Sequence, residues 1–96
     1  MAGEVAAGLR IDKWLWFARF YKSRSLAATI IEAGEVLLND HPVNKSSREV
    51  RAGDLLRFPL GRQWRSVRVL ALSDRRGPAP EAQSLYEDLG FSPREW

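Results

Sequence analysis

The chain has 96 residues, 45% of them apolar, which is enough for one domain with a modest core and too little for a second. Its net charge is +3, with 15 lysines and arginines, and this favours an acidic partner. Because the sequence contains no cysteine, disulfides and cysteine-based zinc sites are excluded, and the reducing cytoplasm is the expected location.

The first eight residues are mostly small and lead into no long apolar run, so we expect a disordered start, no signal peptide and no membrane span. After them, Asp12 is a candidate N-cap for a helix that runs to about Phe20. An apolar stripe at helical spacing supports this helix, and Trp14 and Phe17 are expected in the core. The stripe is formed by Ile11, Leu15 and Ala18.

A second helix is predicted from the cap residue Ser23 to Gly34, which suits the position just after a helix end. One side of this helix is apolar and is expected to pack on the core. That side carries Leu26, Ala27, Ile30 and Ile31.

Beyond Gly34 the pattern changes to short β-prone runs separated by turn residues. The runs are Glu35–Leu38, Val43, Glu49–Val50, Leu55–Phe58 and Trp64–Leu72. Pro59 predicts that the strand before it stops or bends. We expect an α+β fold over residues 9–73, with two N-terminal helices packed on a small, mostly antiparallel sheet. Residues 74–96 are expected to form a weakly structured tail, with at most a helical turn at residues 85–89.

Basic charge is concentrated between Arg10 and Arg24, where five cations face a single acid, Asp12. The cations are Arg10, Lys13, Arg19, Lys22 and Arg24. On a helix, Lys13 lies on a different side from the apolar stripe, so these charges are available either to solvent or to a partner.

The start of the second helix adds a reason to expect an anion. Free N–H groups and the positive end of the helix dipole favour phosphate, and here Lys22, Arg24 and the hydroxyls of Ser23 and Ser25 surround them. Ser23 can cap the helix and also lie beside a phosphate. Trp16, among the cations, can either pack on the core or stack on an unpaired base.

A second group of arginines falls on the later strands and after them, and alternating arginines on an antiparallel sheet are typical of its solvent-facing side. The group comprises Arg57, Arg62, Arg65, Arg68, Arg75 and Arg76. The single histidine, His41, lies in a predicted turn, and no acid–base pair or metal-ligand spacing occurs, so we expect neither an enzyme nor a cofactor.

The order of these motifs resembles the S4 RNA-binding domain, named after a protein of the small ribosomal subunit, over about residues 9–58. The resemblance rests on the runs Leu9–Leu15 and Lys22–Ala27, on Gly34-Glu35-Val36 with Asn39, and on Val50 followed by Gly53-Asp54. Further strings, including Lys-Trp-Leu-Trp and Asp74-Arg75-Arg76, resemble the fifteen-kilodalton heat-shock branch of ribosome-associated proteins.

This resemblance implies an αL-type fold and an RNA-binding role without catalysis, on the large ribosomal subunit, especially one left with a stalled nascent chain, in recovery from heat stress. By position, the implied RNA contacts are Arg10, Lys13, Arg19, Lys22, Arg24 and Ser25, with Asn39, Lys45 and Ser47 at the rim. One departure is Asp40, which stands where the family usually has glycine and so predicts a different turn type.

Three other functions remain open on the sequence alone. The chain could be the RNA-recognition part of an RNA-modifying system, although only about forty residues follow Phe58. Two short helices also resemble a DNA-binding helix-turn-helix, but the second helix has no row of base-reading side chains. The third is a protein-interaction module without nucleic acid, and binding that is insensitive to salt would favour it. No heptad pattern predicts a dimer, so a monomer is expected.

Overall fold

The computed structural model describes residues 8–94. In chain order, its helices and strands are β1 (Leu9–Arg10), α1 (Ile11–Phe17), α2 (Arg24–Glu32), β2 (Val36–Leu38), β3 (His41–Val43), β4 (Glu49–Val50), β5 (Leu55–Leu60), β6 (Gln63–Val69), α3 (Ala79–Gln83) and β7 (Tyr86–Pro93). The disorder predicted for the N-terminus falls on residues 1–7, outside the described part, apart from Gly8.

The main sheet is antiparallel and has five strands in the order β3-β2-β5-β6-β7, while β1 and β4 form a separate two-stranded ladder. One sheet face is buried because apolar residues at alternate positions of β5 and β6 belong to the same core as the apolar residues of α1 and α2. These buried strand residues are Leu56, Phe58, Val67 and Val69. The rings of Phe20 and Phe58, for example, lie 4.8 Å apart between centroids. The predicted α+β class, with two helices on a mostly antiparallel sheet, is confirmed.

Helix α1 begins one residue before the predicted cap. The N–H of Ile11 donates to the carbonyl of Arg48 at 2.7 Å, so the loop before β4 satisfies the helix start and Asp12 lies inside the first turn. The helix ends at Phe17 because Arg19 takes the left-handed conformation, with φ of 67°. The predicted core positions of Trp14 and Phe17 are confirmed.

Helix α2 follows the prediction at both ends. The hydroxyl of Ser23 accepts from the N–H of Leu26 at 3.0 Å, which is an N-cap bond. Gly34 ends the helix with φ of 80°, a conformation that glycine adopts without steric cost. Ala27 and Ile31 are fully buried and Leu26 and Ile30 partly buried, as the apolar side predicts.

The turn between β2 and β3 corrects the expectation drawn from Asp40. Asn39 and Asp40 have φ values of 51° and 71°, and they join paired residues Leu38 and His41. Positive φ at both central residues is the type I′ hairpin turn, the one that suits the twist of the flanking strands. Asp40 therefore keeps the turn that glycine would form, since aspartate tolerates the left-handed region better than most residues do.

Pro59 does not end its strand. Strand β5 runs to Leu60, and Pro59 pairs with Trp64 of β6. Strand β2 pairs only with residues 56 and 57 of β5, so Pro59 lies where the strand has a ladder partner on one side alone and a missing N–H is tolerated. The carbonyl of Pro59 accepts a hydrogen bond from the phenol of Tyr21, which ties the sheet to the segment after α1.

The prediction of a weakly structured tail is wrong. Residues 79–83 form α3, and residues 86–93 form β7, which pairs with β6 at seven positions. The helical turn expected at residues 85–89 is instead the start of this strand. Apolar side chains attach α3 and β7 to the rest of the fold. Ala82 and Leu85 are buried, and the ring of Tyr86 lies 4.6 Å from that of Phe20. Within residues 8–94, the helices are too short to cross a membrane.

Candidate nucleic-acid interface

Asp12 is the centre of the predicted basic region. It is the one charged residue in the buried set of residues 8–94, with 2% of its surface exposed. Its carboxylate accepts from Arg10 Nε and Nη2 at 3.1 Å each, and from Arg24 Nε at 3.3 Å. The backbone N–H of Lys13 donates to it at 2.8 Å. A buried acid thus holds two arginines from β1 and α2 side by side.

The electrostatics of Asp12 reflect two opposing effects. Burial by itself would raise the pKa of the carboxyl group, but hydrogen bonds and Coulombic attraction from Arg10 and Arg24 outweigh it and hold the pKa below its usual range. The acid therefore stays ionised, and the pair of arginines stays fixed. Each arginine side chain is 41% exposed, so its remaining donors can reach a phosphate.

The start of α2 lies beside this pair. Ser23 is half-buried and its hydroxyl is used in the cap bond, whereas Ser25 is exposed, with its Oγ 3.3 Å from that of Ser23. Lys22 is exposed one residue before the cap. The positive end of the α2 dipole, together with Lys22 and Arg24, makes this an electropositive corner. We call the surface formed by Arg10, Lys13, Lys22, Arg24 and Ser25 the helix face.

The loop before β4 adjoins the helix face. Its carbonyl at Ser46 accepts from the N–H of Asp12 at 3.4 Å, and the hydroxyl of Ser46 donates to Glu32 at 2.9 Å. These bonds place the exposed residues Lys45 and Ser47 next to the start of α1. Both line a cleft of about 160 Å³, together with residues 42–44 and Arg48. The structure thus brings these two predicted rim residues close to the helix face.

Besides Arg10 and Arg24, two more predicted contact residues have intramolecular partners. Arg19 donates from Nε to the carbonyl of Gly77 at 2.7 Å, so its guanidinium ties α1 to the segment before α3. The side chain of Asn39 accepts from the N–H of Leu55 at 2.9 Å and donates to Asp54 at 3.1 Å. Both residues thereby stabilise the fold locally, and their contact with RNA stays a prediction.

Arg76 joins this region although the sequence assigned it to a solvent-facing group. Its Nε donates to the carbonyl of Trp16 at 2.9 Å and its Nη2 to that of Tyr21 at 3.3 Å. Its guanidinium lies 5.5 Å from the centre of the Trp16 ring. Sixty residues separate the two along the chain, so helical spacing could not have indicated the contact.

Among the other arginines of that group, Arg62 and Arg75 are exposed outside the strands, and those on β5 and β6 divide between the two sides of the sheet. Arg57 and Arg68 share the side away from the helices, as expected for a solvent-facing sheet surface. Arg65 has the opposite parity, and its guanidinium lies 4.5–5.6 Å from the ring centres of Phe20, Tyr86 and Phe91. Its prediction as solvent-facing is wrong, because β7 covers it. We call the side that carries Arg57, Trp64, Ser66 and Arg68 the outer sheet face.

Comparison with known proteins agrees with this geometry. The S4 domain family model matches residues 9–56, the segment that contains α1, α2 and Asn39. The Haemophilus influenzae heat shock protein 15 homolog is 46% identical over 84 residues, covering 88% of this chain, and the chain spans 63% of that protein's length. A more distant relative is the RQC P-site tRNA stabilizing factor of Bacillus subtilis, 32% identical over 84% of this chain and 92% of that protein.

The fold is also similar to a solved structure. The trimeric structure of Vibrio cholerae heat shock protein 15 superposes with a TM-score of 0.81 at 41% identity, covering 85% of this chain and 82% of that one.

Proposed function

The chain belongs to the S4 domain family, in its heat shock protein 15 branch, and from this premise we propose that it is a non-catalytic protein that binds structured ribosomal RNA through the helix face. The observation that carries the proposal is the buried carboxylate of Asp12 between Arg10 and Arg24. A fold gains little stability from burying an acid merely to hold two surface arginines, whereas a phosphate backbone is bound best by cations fixed in advance.

The finer parts of the proposal concern where this RNA is. We propose the large ribosomal subunit carrying a stalled nascent chain, in the cytoplasm, during recovery from heat stress. The names of the heat shock protein 15 relatives support the stress setting, and the name of the Bacillus subtilis factor supports the ribosomal one. Shape and phosphate contacts would give most of the affinity, as is usual for structured RNA.

A second candidate is contact with transfer RNA at the ribosomal P site. It is favoured by the Bacillus subtilis relative, whose name states that it stabilises P-site tRNA and of which the chain covers 92%. Competition between free transfer RNA and purified large subunits separates this candidate from binding to ribosomal RNA alone.

We propose that one chain occupies one RNA site as a monomer. The Vibrio cholerae relative is described as trimeric, so the mass in solution needs to be measured by light scattering, with and without RNA. A trimer that persists when RNA is bound would contradict the monomer.

The decisive experiment is binding to purified large subunits over a salt series, with Arg10→Gln and Arg24→Gln compared with the parent chain. Each variant should bind more weakly and should lower the slope of log affinity against log salt by about 0.7–0.9 for each phosphate that is no longer neutralised. Arg57→Gln is the matched control, since it removes the same charge from the outer sheet face.

Equal weakening by all three substitutions would mean that only net charge matters, and the helix face would be wrong. Binding that does not respond to salt would favour the protein-interaction alternative instead.

A further inference from the structure

Trp16 is the last but one residue of α1, the helix that carries Lys13 of the helix face. It follows Lys13 by three residues, so the two share one side of the helix. The indole is only partly buried, with its ring centre 5.6 Å from that of Phe17. A partly exposed tryptophan beside cations can offer aromatic surface to a partner that carries both charge and a flat ring.

Arg76 fixes the other half of this site. Two of its donors bond the carbonyls of Trp16 and Tyr21, which holds the guanidinium over the indole. None of the ion pairs found within residues 8–94 involves Arg76, although most arginines of the sheet have a carboxylate partner. The guanidinium has five N–H donors, and three remain for a ligand after these two bonds. An anionic group beside an aromatic one is therefore the chemistry that fits.

We propose that Trp16 and Arg76 form a site for one unpaired nucleotide of the bound RNA, with the base stacked on the indole and a phosphate held by Arg76. The inference rests on the proposed RNA binding and adds its substrate class, unpaired RNA beside a structured element. A base inside a duplex keeps both its faces covered by its neighbours, so only an unpaired base can stack on a side chain.

A purely structural role makes a different prediction. Arg76 bonds the carbonyl of Trp16 near the end of α1, where a cation also stabilises the helix dipole. If that were its whole function, changes at Trp16 and Arg76 would lower stability without altering which RNA is preferred. The test must therefore measure a preference between two RNAs and not affinity alone.

The experiment compares a fully paired RNA duplex with the same duplex carrying a short single-stranded overhang, by fluorescence anisotropy of labelled RNA. The parent should prefer the overhang by a factor on the order of ten, the size expected for stacking of one base. Trp16→Leu and Arg76→Gln should abolish the preference, and Trp16→Phe should keep most of it because phenylalanine still offers a ring. Thermal unfolding of each variant shows whether it remains folded.

Trp64→Leu is the matched control. Trp64 also lies beside arginines, with Arg57 and Arg94 at 5.0 and 5.2 Å from its ring, but on the outer sheet face. This variant should keep the parent's preference. The inference is overturned if the parent shows no preference, if folded Trp16→Leu retains it, or if Trp64→Leu loses it equally. Should Arg24→Gln then still weaken both RNAs, the proposed function stands without this site; no binding to either RNA at low salt would overturn both.

Discussion

Replacing Asp12 by asparagine tests whether the buried carboxylate organises the helix face. The substitution keeps the shape but removes the charge that accepts from Arg10 and Arg24. Removing one partner of a fully buried ion pair costs about 3–5 kcal/mol, because the other charge is left uncompensated. Here both arginines are 41% exposed and can be rehydrated. We therefore expect a loss of about 2 kcal/mol, the value of hydrogen bonds to a charged group.

The same substitution has a pH dependence with a defined sign. The pKa of Asp12 is lower in the folded protein than the usual 3.8, so its contribution is fully present above that value and is lost as pH falls through the lowered one. The difference in unfolding free energy between the parent and Asp12→Asn should be largest near pH 7. It should shrink well below pH 3.8, where the parent's carboxyl group is itself protonated.

Urea denaturation followed by tryptophan fluorescence measures both effects. In thermal unfolding at pH 7, the variant's melting temperature should be lower than the parent's by about 8–16 °C. Glu87→Gln is the control: Glu87 pairs with Arg68 at 3.6 Å but is 55% exposed, so its loss should cost at most about 1 kcal/mol. A loss for Asp12→Asn no larger than the control's, or one that is unchanged at low pH, would refute the reasoning.

Substitutions at three further positions test the turns and the buried phenol, each by urea denaturation. Tyr21→Phe should cost about 1 kcal/mol by leaving the carbonyl of Pro59 without its donor. Burial raises the pKa of Tyr21, so its phenol should stay neutral through pH 10 in the folded parent, as ultraviolet titration would show. Gly34→Ala should cost about 1 kcal/mol and Gly34→Asn less, because φ is 80° and a Cβ meets no neighbour. Asp40→Gly should stabilise the fold by about 0.5–1 kcal/mol, since φ there is 71°; a loss would show that the Asp40 side chain makes a needed contact.

Local patterns in the sequence predicted the elements that depend on near neighbours. The cap at Ser23, the glycine after α2 and the apolar side of α2 each involve residues within a few positions, and each is confirmed. Strand β7 was missed because Tyr86–Pro93 has no clear alternation of apolar and polar residues. Its pairing with β6 and the contact of Tyr86 with Phe20 stabilise it instead, and neither can be read from the segment itself.

In the candidate site too, the sequence predicted the features that depend on near neighbours and missed those that depend on distant ones. The sequence located the cations, but it assigned Asp12 to capping α1, a local role, when the carboxylate in fact reaches Arg24 twelve residues away. Arg76 was placed with the sheet arginines because its partners at Trp16 and Tyr21 lie more than fifty residues earlier. Charge density along a chain therefore identifies which segment faces an anion. The fixed spacing of those charges distinguishes a shaped site from nonspecific attraction. That spacing depends on the buried acid Asp12 and on the carbonyls of Trp16 and Tyr21, which only the fold brings next to the arginines.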